Sequence, residues 1–243
     1  MCRQRARFFW SGLAAIVVLL LLGLSGATEA RDFSDIGGAL AWARLKTESR
    51  TWDRHARSDP HLLTFMRTNT GLNIDPRWHW ADVEDLDQMC QYPFLFSEGL
   101  HHVNDLQGLA NLREYLKRGG FIFIDSCINT TVNPDPDAFL QAQIDTLKRL
   151  LPDAQVTELP PDDPIYRICF VMKDGLPHTY MDNIYNPDWA KHGLCAVHSG
   201  GRLVCIISLS GLQCGWDGMK PDREHIRECM KMMFNIYAYV ITH

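Results

Sequence analysis

Short runs of consecutive apolar residues alternate along the chain with segments in which apolar residues recur every three or four positions. The runs YPFLF (92–96) and FIFID (121–125) have the length and composition of strands buried on both faces. The segment between them predicts a helix closed by Gly119, with leucines at helical spacing at Leu106, Leu109, Leu112 and Leu116. Strand, helix and strand in this order predict a right-handed βαβ unit with two adjacent parallel strands.

The remaining patterns extend this alternation. A first strand is predicted in GGALAWARLKTES, a helix from Ser58 or Asp59 to Gly71, and an extended LNIDPRWHW in which Pro76 favours a sheet edge. Further along, the pattern predicts a helix in PDPDAFLQAQIDTLKRLLP, a strand in PDAQVTELPPDDP, two strands about a Gly200-Gly201 turn, and a closing helix in REHIRECMKMMFNIYAYVIT. We therefore predict an α/β fold, a doubly wound, mostly parallel sheet with helices on both faces, in one domain spanning residues 31–243.

Residues 1–30 follow a different pattern. Three arginines precede an apolar run within residues 9–26, and small residues follow it. This order is typical of a secretory signal peptide, with cleavage before Thr28 or Arg31. The run is short for a membrane span, but a retained N-terminal anchor is the alternative. We expect an exported protein, periplasmic or secreted, that contacts a membrane only through this segment.

Composition narrows the classes of partner. The chain has 243 residues, of which 46% are hydrophobic and 22% charged, and its formal net charge is −5. The basic residues are scattered, so a nucleic-acid partner is not expected. No H-x-H, H-E-x-x-H or C-x-x-C spacing occurs in the sequence, and we predict no metal and no cofactor. The expected partner is an unidentified small molecule or an envelope protein.

Polar residues follow three of the predicted strands. In open parallel sheets, ligands bind beyond the carboxyl ends of the strands, so these residues are the candidates for a site. The predicted ligand-binding residues are Glu98, Gly99, His101, Asp125 and Trp216. Of these, Asp125 is equally suited to organising the loop after its strand, and Trp216 to filling a gap in the core.

Catalytic candidates are weaker. Cys127 could be a nucleophile activated by His101 or His102, but the small flanking residues of a nucleophile elbow are missing. Asp125 is a second weak candidate, acting with one of the same histidines. Seven cysteines follow the N-terminal segment, and we expect most of them to be small core residues rather than a disulfide framework.

Several segments taken together resemble the bacterial domain-of-unknown-function family 4159. They are YPFLF-x-x-G, LKRGGFIFIDSC, ELPPDDPIY, SGLQCGW and the final NIYAYVIT, and the resemblance covers residues 38–242. It implies a flavodoxin-like sandwich similar to class I glutamine amidotransferases, and no particular activity.

This sequence departs from the family's pattern at two places. Members show a Gly-His-Gly type of turn after the first of these strands, where this chain has Gly99-Leu100-His101. They also show two acidic residues before the cysteine, where the second position here is Ser126. The amidotransferase Gly-x-Cys-x-Gly elbow, and a histidine followed two residues later by glutamate, are both missing. The fold likeness therefore carries no amidotransferase activity.

Two functional hypotheses follow from the sequence. The first is a non-catalytic exported protein that binds a ligand or partner at the strand ends. The alternative is a hydrolase or transferase that uses Asp125 with His101 or His102, with or without a bound metal. In either case Cys127 and Cys214 follow two strands expected to end at one edge of the sheet, and in an oxidising compartment they could form a disulfide.

Overall fold

The computed structural model describes residues 38–129, 131–179, 192–219 and 222–243. The strands are β1 (Leu40–Lys46), β2 (Ile74–Asp82), β3 (Phe94–Ser97), β4 (Phe121–Asp125), β5 (Gln155–Glu158), β6 (Cys195–Ser199) and β7 (Arg202–Ser208). The helices are α1 (Asp59–Asn69), α2 (Leu86–Met89), α3 (Leu106–Lys117), α4 (Pro136–Leu150), α5 (Leu212–Trp216) and α6 (Arg223–Thr242). Single 3₁₀ turns lie at Ala56–Ser58, Leu100–His102 and Pro164–Tyr166.

The strands form one seven-stranded sheet in the order β2-β1-β3-β4-β7-β6-β5. Five consecutive strands of the sheet are parallel to one another: β2, β1, β3, β4 and β7. Strand β6 is antiparallel to both of its neighbours, β7 and β5. The predicted βαβ unit is confirmed, because β3 and β4 are adjacent and parallel and α3 connects them. The edge position of β2 and the hairpin about Gly200 and Gly201 are also confirmed; both glycines have positive φ, as a tight hairpin turn requires.

Helices cover both faces of the sheet, as predicted. Alternate residues of the central strands point to opposite faces. Phe94, Phe96 and Phe123 pack in a core with residues of α1, α5 and α6. Helices α2, α3 and α4 contact one another in sequence, and their buried residues belong to the other layer. Residues 38–243 form one compact unit.

A fully buried ion pair connects β1 to α1. Arg44 donates from Nε and Nη2 to the two carboxylate oxygens of Asp59 at 2.6 and 2.7 Å, and both side chains have no exposed surface. Trp42 donates to the same carboxylate at 2.9 Å. Every carboxylate oxygen is therefore paired, which is the condition for burying an ion pair at low cost.

Two local expectations differ from the structure. Ser58 is the residue before α1, but its hydroxyl makes no hydrogen bond to the helix backbone and binds Asp217 instead. Leu106 is 82% exposed, because it lies at the first turn of α3, whereas Leu112 and Leu116 are buried as the leucine pattern predicts. The predicted signal segment, residues 1–30, lies outside the described residues. Of the helices that are described, none has the length and apolar character needed to cross a bilayer.

Candidate functional site

The polar strand ends meet at one edge of the sheet. β3, β4 and β7 are neighbouring parallel strands, so Glu98, Asp125 and Ser208 lie at their carboxyl ends on the same side. Asp125 is directly opposite Ser208 in the register. The three strand ends therefore point in the same direction, and this edge is where an open α/β sheet places its ligands.

Asp125 organises the loop that follows β7. Its carboxylate is fully buried and accepts hydrogen bonds from the backbone N–H groups of Leu212 at 3.1 Å and Gln213 at 2.9 Å. Burial raises the pKa of Asp125 to about 6, and hydrogen bonds from Gln213, Ser208 and the loop backbone oppose the rise. Asp125 thereby fixes the first turn of α5, which carries Cys214.

Glu98 lies beside this loop, and each of its carboxylate oxygens has a partner. Gln213 donates from Nε2 to Glu98 Oε1 at 3.2 Å, and Arg54 Nε lies 3.4 Å from Oε2. Burial raises the pKa of Glu98 to about 7, although the positive charges of Arg54 and Arg44 lower it. The carboxyl group is thus poised to exchange a proton near neutral pH.

A disulfide bond joins Cys127 to Cys214, with the Cα atoms 6.4 Å apart. Cys127 comes two residues after β4 and Cys214 six residues after β7, and these two strands are neighbours. The pairing suggested by the sequence is therefore present. Both residues are buried: 2% of Cys127 is exposed and none of Cys214.

His55 contacts both sulfur atoms. Its Nε2 lies 3.2 Å from Cys127 Sγ and 3.8 Å from Cys214 Sγ, and its Nδ1 lies 2.5 Å from Asp217 Oδ2. A hydrogen bond to this carboxylate requires the proton on Nδ1, so the neutral ring presents the Nε2 lone pair to the sulfurs. The result is a row of carboxylate, imidazole and sulfur, in which the Asp217–His55 contact is a hydrogen bond and the His55–sulfur contact is not, because neither Nε2 nor a disulfide sulfur carries a proton.

The backbone at His55 is strained. Its φ is 60° and ψ 6°, and in the described part of the chain no other non-glycine residue has a positive φ. A left-handed conformation at such a residue costs of order 1–2 kcal/mol. The residue precedes the 3₁₀ turn that leads into α1, so the strained bend directs the ring away from the helix and toward the cysteines.

Burial and hydrogen bonding set the charge of the site. Burial lowers the pKa of His55, and the hydrogen bond and negative charge of Asp217 raise it in part. Burial opposes ionisation of Asp217, yet hydrogen bonds from Ser58 and His55 hold the pKa of its carboxyl below the ordinary value. The Arg57 guanidinium lies 3.6 Å from the same carboxylate. Asp217 is therefore an anion that orients a neutral imidazole.

The other residues predicted from the sequence lie elsewhere at the edge. His101 Nδ1 accepts a hydrogen bond from Gln143 Nε2 at 2.6 Å, and the rings of His101 and His102 are 3.9 Å apart. At Gly99, a Cβ atom would come within 2.8 Å of the His101 ring, so the glycine permits this packing. His101 and Asp125 thus have separate partners.

Trp216 is a core residue. It is 2% exposed and makes edge contacts with Trp42 and Phe96. Its position is that of the gap-filling alternative noted from the sequence.

His55 and Asp217 were not predicted as site residues from the sequence. These residues are separated by 162 positions, and His55 by 72 from Cys127. No short motif can span such distances. The one local hint is the turn-rich segment TWDRHARSDP, which could have been recognised as the loop after the first strand.

Residues 41–241 match the family described as Domain of unknown function (DUF4159). The chain belongs to this family. The resemblance drawn from the sequence is therefore confirmed, and the match covers the strands and helices described above except Leu40 at the start of β1 and Thr242 at the end of α6. A comparison with curated proteins gives no match.

Proposed function

We propose that Cys127 and Cys214 form a redox-active disulfide, and that His55 assists its exchange with a partner dithiol bound at the carboxyl edge of the sheet. The observation that carries this proposal is the contact of His55 Nε2 with both sulfurs while Asp217 holds Nδ1. A disulfide that only braces the fold requires no imidazole. Here an imidazole is held against it by a strained backbone, and strain of this kind clusters at functional sites.

The reaction conserves atoms and electrons as follows. A partner thiol transfers its proton to His55 Nε2, and its sulfur attacks Cys127, which retains the only exposed fraction of the pair. The Cys127–Cys214 bond breaks, and Cys214 leaves with the bonding electron pair and takes the proton from His55. A second partner thiol then attacks the partner's sulfur in the mixed disulfide and releases Cys127 as a thiol. The partner loses two electrons and two protons, which the cysteine pair gains.

The test is the rate at which dithiothreitol reduces the native disulfide between pH 6 and 8. We expect His55→Asn to slow reduction by about 100-fold, the lower range for loss of proton transfer by a side chain. Asp217→Asn should slow it by about tenfold, because the ring loses its orientation and tautomer. His61→Asn is the matched control, since His61 is an exposed residue of α1. An unchanged rate in His55→Asn would exclude the proposal.

A second candidate uses the same atoms in the reduced protein. Asp217, His55 and Cys127 then stand in the order of orienting group, base and nucleophile of a cysteine hydrolase or transferase. Cys214→Ser separates the two candidates. It removes disulfide exchange completely but leaves Cys127 beside His55, so an acyl-transfer activity that survives in Cys214→Ser would favour the second candidate.

Export remains part of the proposal. The apolar segment at residues 9–26 supports it, and so does the disulfide, because such bonds persist mainly in oxidising compartments. N-terminal sequencing of the mature protein should begin at Thr28 or Arg31. An intact Met1 would instead indicate a retained anchor.

A further inference from the structure

We infer that the reduced form of this site binds a thiophilic metal ion, Zn²⁺ in particular, through His55 Nε2, Cys127 Sγ and Cys214 Sγ. This inference rests on the reducible cysteine pair proposed above and adds a ligand for it. The three atoms lie within 4.8 Å of one another and come from three different segments of the chain.

The distances suit a tetrahedral ion. Zn–S and Zn–N bonds of about 2.3 and 2.0 Å at tetrahedral angles place nitrogen and sulfur ligands about 3.5 Å apart. The His55 Nε2 atom is 3.2 Å from one sulfur and 3.8 Å from the other, on either side of that value. Reduction lets the sulfurs separate, and the required sulfur–sulfur separation of about 3.8 Å lies within the reach of cysteines whose Cα atoms are 6.4 Å apart.

The surroundings of the ligands also match a metal centre. Metal-binding histidines commonly donate their second N–H to a carboxylate, which fixes the ring and raises its basicity. Asp217 occupies that position on His55 at 2.5 Å, and it is itself held by Ser58. Two thiolates and a neutral imidazole bound to a divalent ion carry no net charge, which limits the cost of burying the ion.

Three protein ligands leave one tetrahedral position for water or a substrate atom. Sites of this composition are catalytic more often than structural, because structural zinc sites use four protein ligands. Sulfur and imidazole together select zinc over magnesium or calcium. Metal and disulfide exclude each other, so the ion would hold the pair in the reduced state.

The experiment uses protein refolded from the fully reduced, unfolded chain, so that metal binding does not depend on reduction of the native disulfide. Co²⁺ is titrated anaerobically as a spectroscopic probe, and Zn²⁺ is then added in competition. We expect one equivalent of Co²⁺ with a thiolate-to-metal charge-transfer band, displaced by Zn²⁺. Cys127→Ser, Cys214→Ser and His55→Asn should each weaken binding at least 100-fold, and Asp217→Asn should weaken it by 10- to 100-fold.

Cys205→Ser is the matched control, because Cys205 is a buried cysteine of β7 that lies outside the site, and this variant should bind Co²⁺ as the wild type does. Circular dichroism confirms that each variant is folded. A folded, reduced protein without the charge-transfer band would overturn the metal inference while leaving disulfide exchange intact. Conversely, normal Co²⁺ binding with an inert native disulfide would remove the redox proposal and leave the metal site.

Discussion

Two carboxylates with at most 3% of their side-chain surface exposed are held at the short segment 55–59, and their partners differ in kind. Asp59 is paired by the guanidinium of Arg44 and the indole N–H of Trp42, both of which only donate hydrogen bonds. Asp217 is paired by Ser58 and by His55, whose ring contacts two sulfur atoms. The Arg44–Asp59 pair connects two elements of the fold, whereas Asp217 connects through His55 to the disulfide for which we propose proton and electron exchange. The first arrangement therefore serves stability, and the second is the proposed reactive site.

The largest expected effect concerns the Cys127–Cys214 disulfide and tests whether these two residues stabilise the fold only through their covalent bond. The disulfide closes a separation of 87 residues, which the chain-entropy account converts to about 4 to 5 kcal/mol of stability. Replacing Cys127 and Cys214 together by Ala should lower the free energy of unfolding by that amount relative to the oxidised protein. Relative to the reduced protein, the change should be about 1 kcal/mol. Urea unfolding with and without reductant measures both, and a double variant as stable as the oxidised protein would refute this account.

The next effect concerns the buried Arg44–Asp59 ion pair. Asp59→Asn leaves the Arg44 guanidinium buried without its counter-charge, so we expect the free energy of unfolding to fall by about 3 to 4 kcal/mol. Asp82→Asn is the control, because the Lys46–Asp82 pair on the neighbouring strands is 2.7 Å long but 40% and 27% exposed. Its loss should cost less than about 1 kcal/mol. Equal losses in the two variants would show that burial of the Arg44–Asp59 pair has no special weight.

The smallest effect concerns the buried carboxyl group of Glu98, whose partners are the Gln213 amide and the Arg54 guanidinium. Because its pKa rises from 4.5 to about 7 in the folded protein, the folded state binds the proton more tightly than the unfolded state does. The protonated form therefore adds stability that is present below pH 4.5 and is lost as the pH rises through 7. This loss amounts to about 3 kcal/mol at most.

Glu98→Gln removes that titration. The variant should gain stability relative to the wild type as the pH increases from 4.5 to 7, with no further gain above. Urea unfolding at a series of pH values measures the difference, and Glu84→Gln, at an exposed site, is the control. A constant difference between the Glu98 variant and wild type across this range would show that Glu98 is charged throughout.

Periodicity predicted the fold well because it depends on local order. The runs FLF (94–96) and FIFI (121–124) are apolar at every position, which is typical of strands covered on both faces, and the helix between them closes at Gly119 as expected. The same reasoning placed Cys127 and Cys214 after two strands expected to end at one edge of the sheet, and the structure shows that these strands are neighbours. It failed at Ser58, where the sequence resembles a helix cap but the hydroxyl donates its hydrogen bond to Asp217, which is distant in the sequence.

The centre of the site was not predictable in this way. His55 lies in an irregular loop, and its role depends on an unusual backbone conformation and on contacts with Cys127 and Asp217 that no periodic pattern records. His101 and His102 were more conspicuous because they directly follow a predicted strand end. In the structure, His101 accepts a hydrogen bond from Gln143 instead. Loops carry such side chains, and their paths are fixed by tertiary contacts rather than by local propensity.

The position of β7 also governs how a growing chain can assemble. This strand is the last in the sequence, but it lies between β4 and β6 in the sheet. Until residues 202–208 have been synthesised, β4 has an unpaired, apolar edge, and such edges promote aggregation. Cys214 follows β7 by only six residues, so Cys127 cannot meet its partner before this gap can be filled. During biogenesis, the edge of β4 therefore stays open until β7 pairs with it, and the disulfide can form only after the residues that cover this edge have been synthesised.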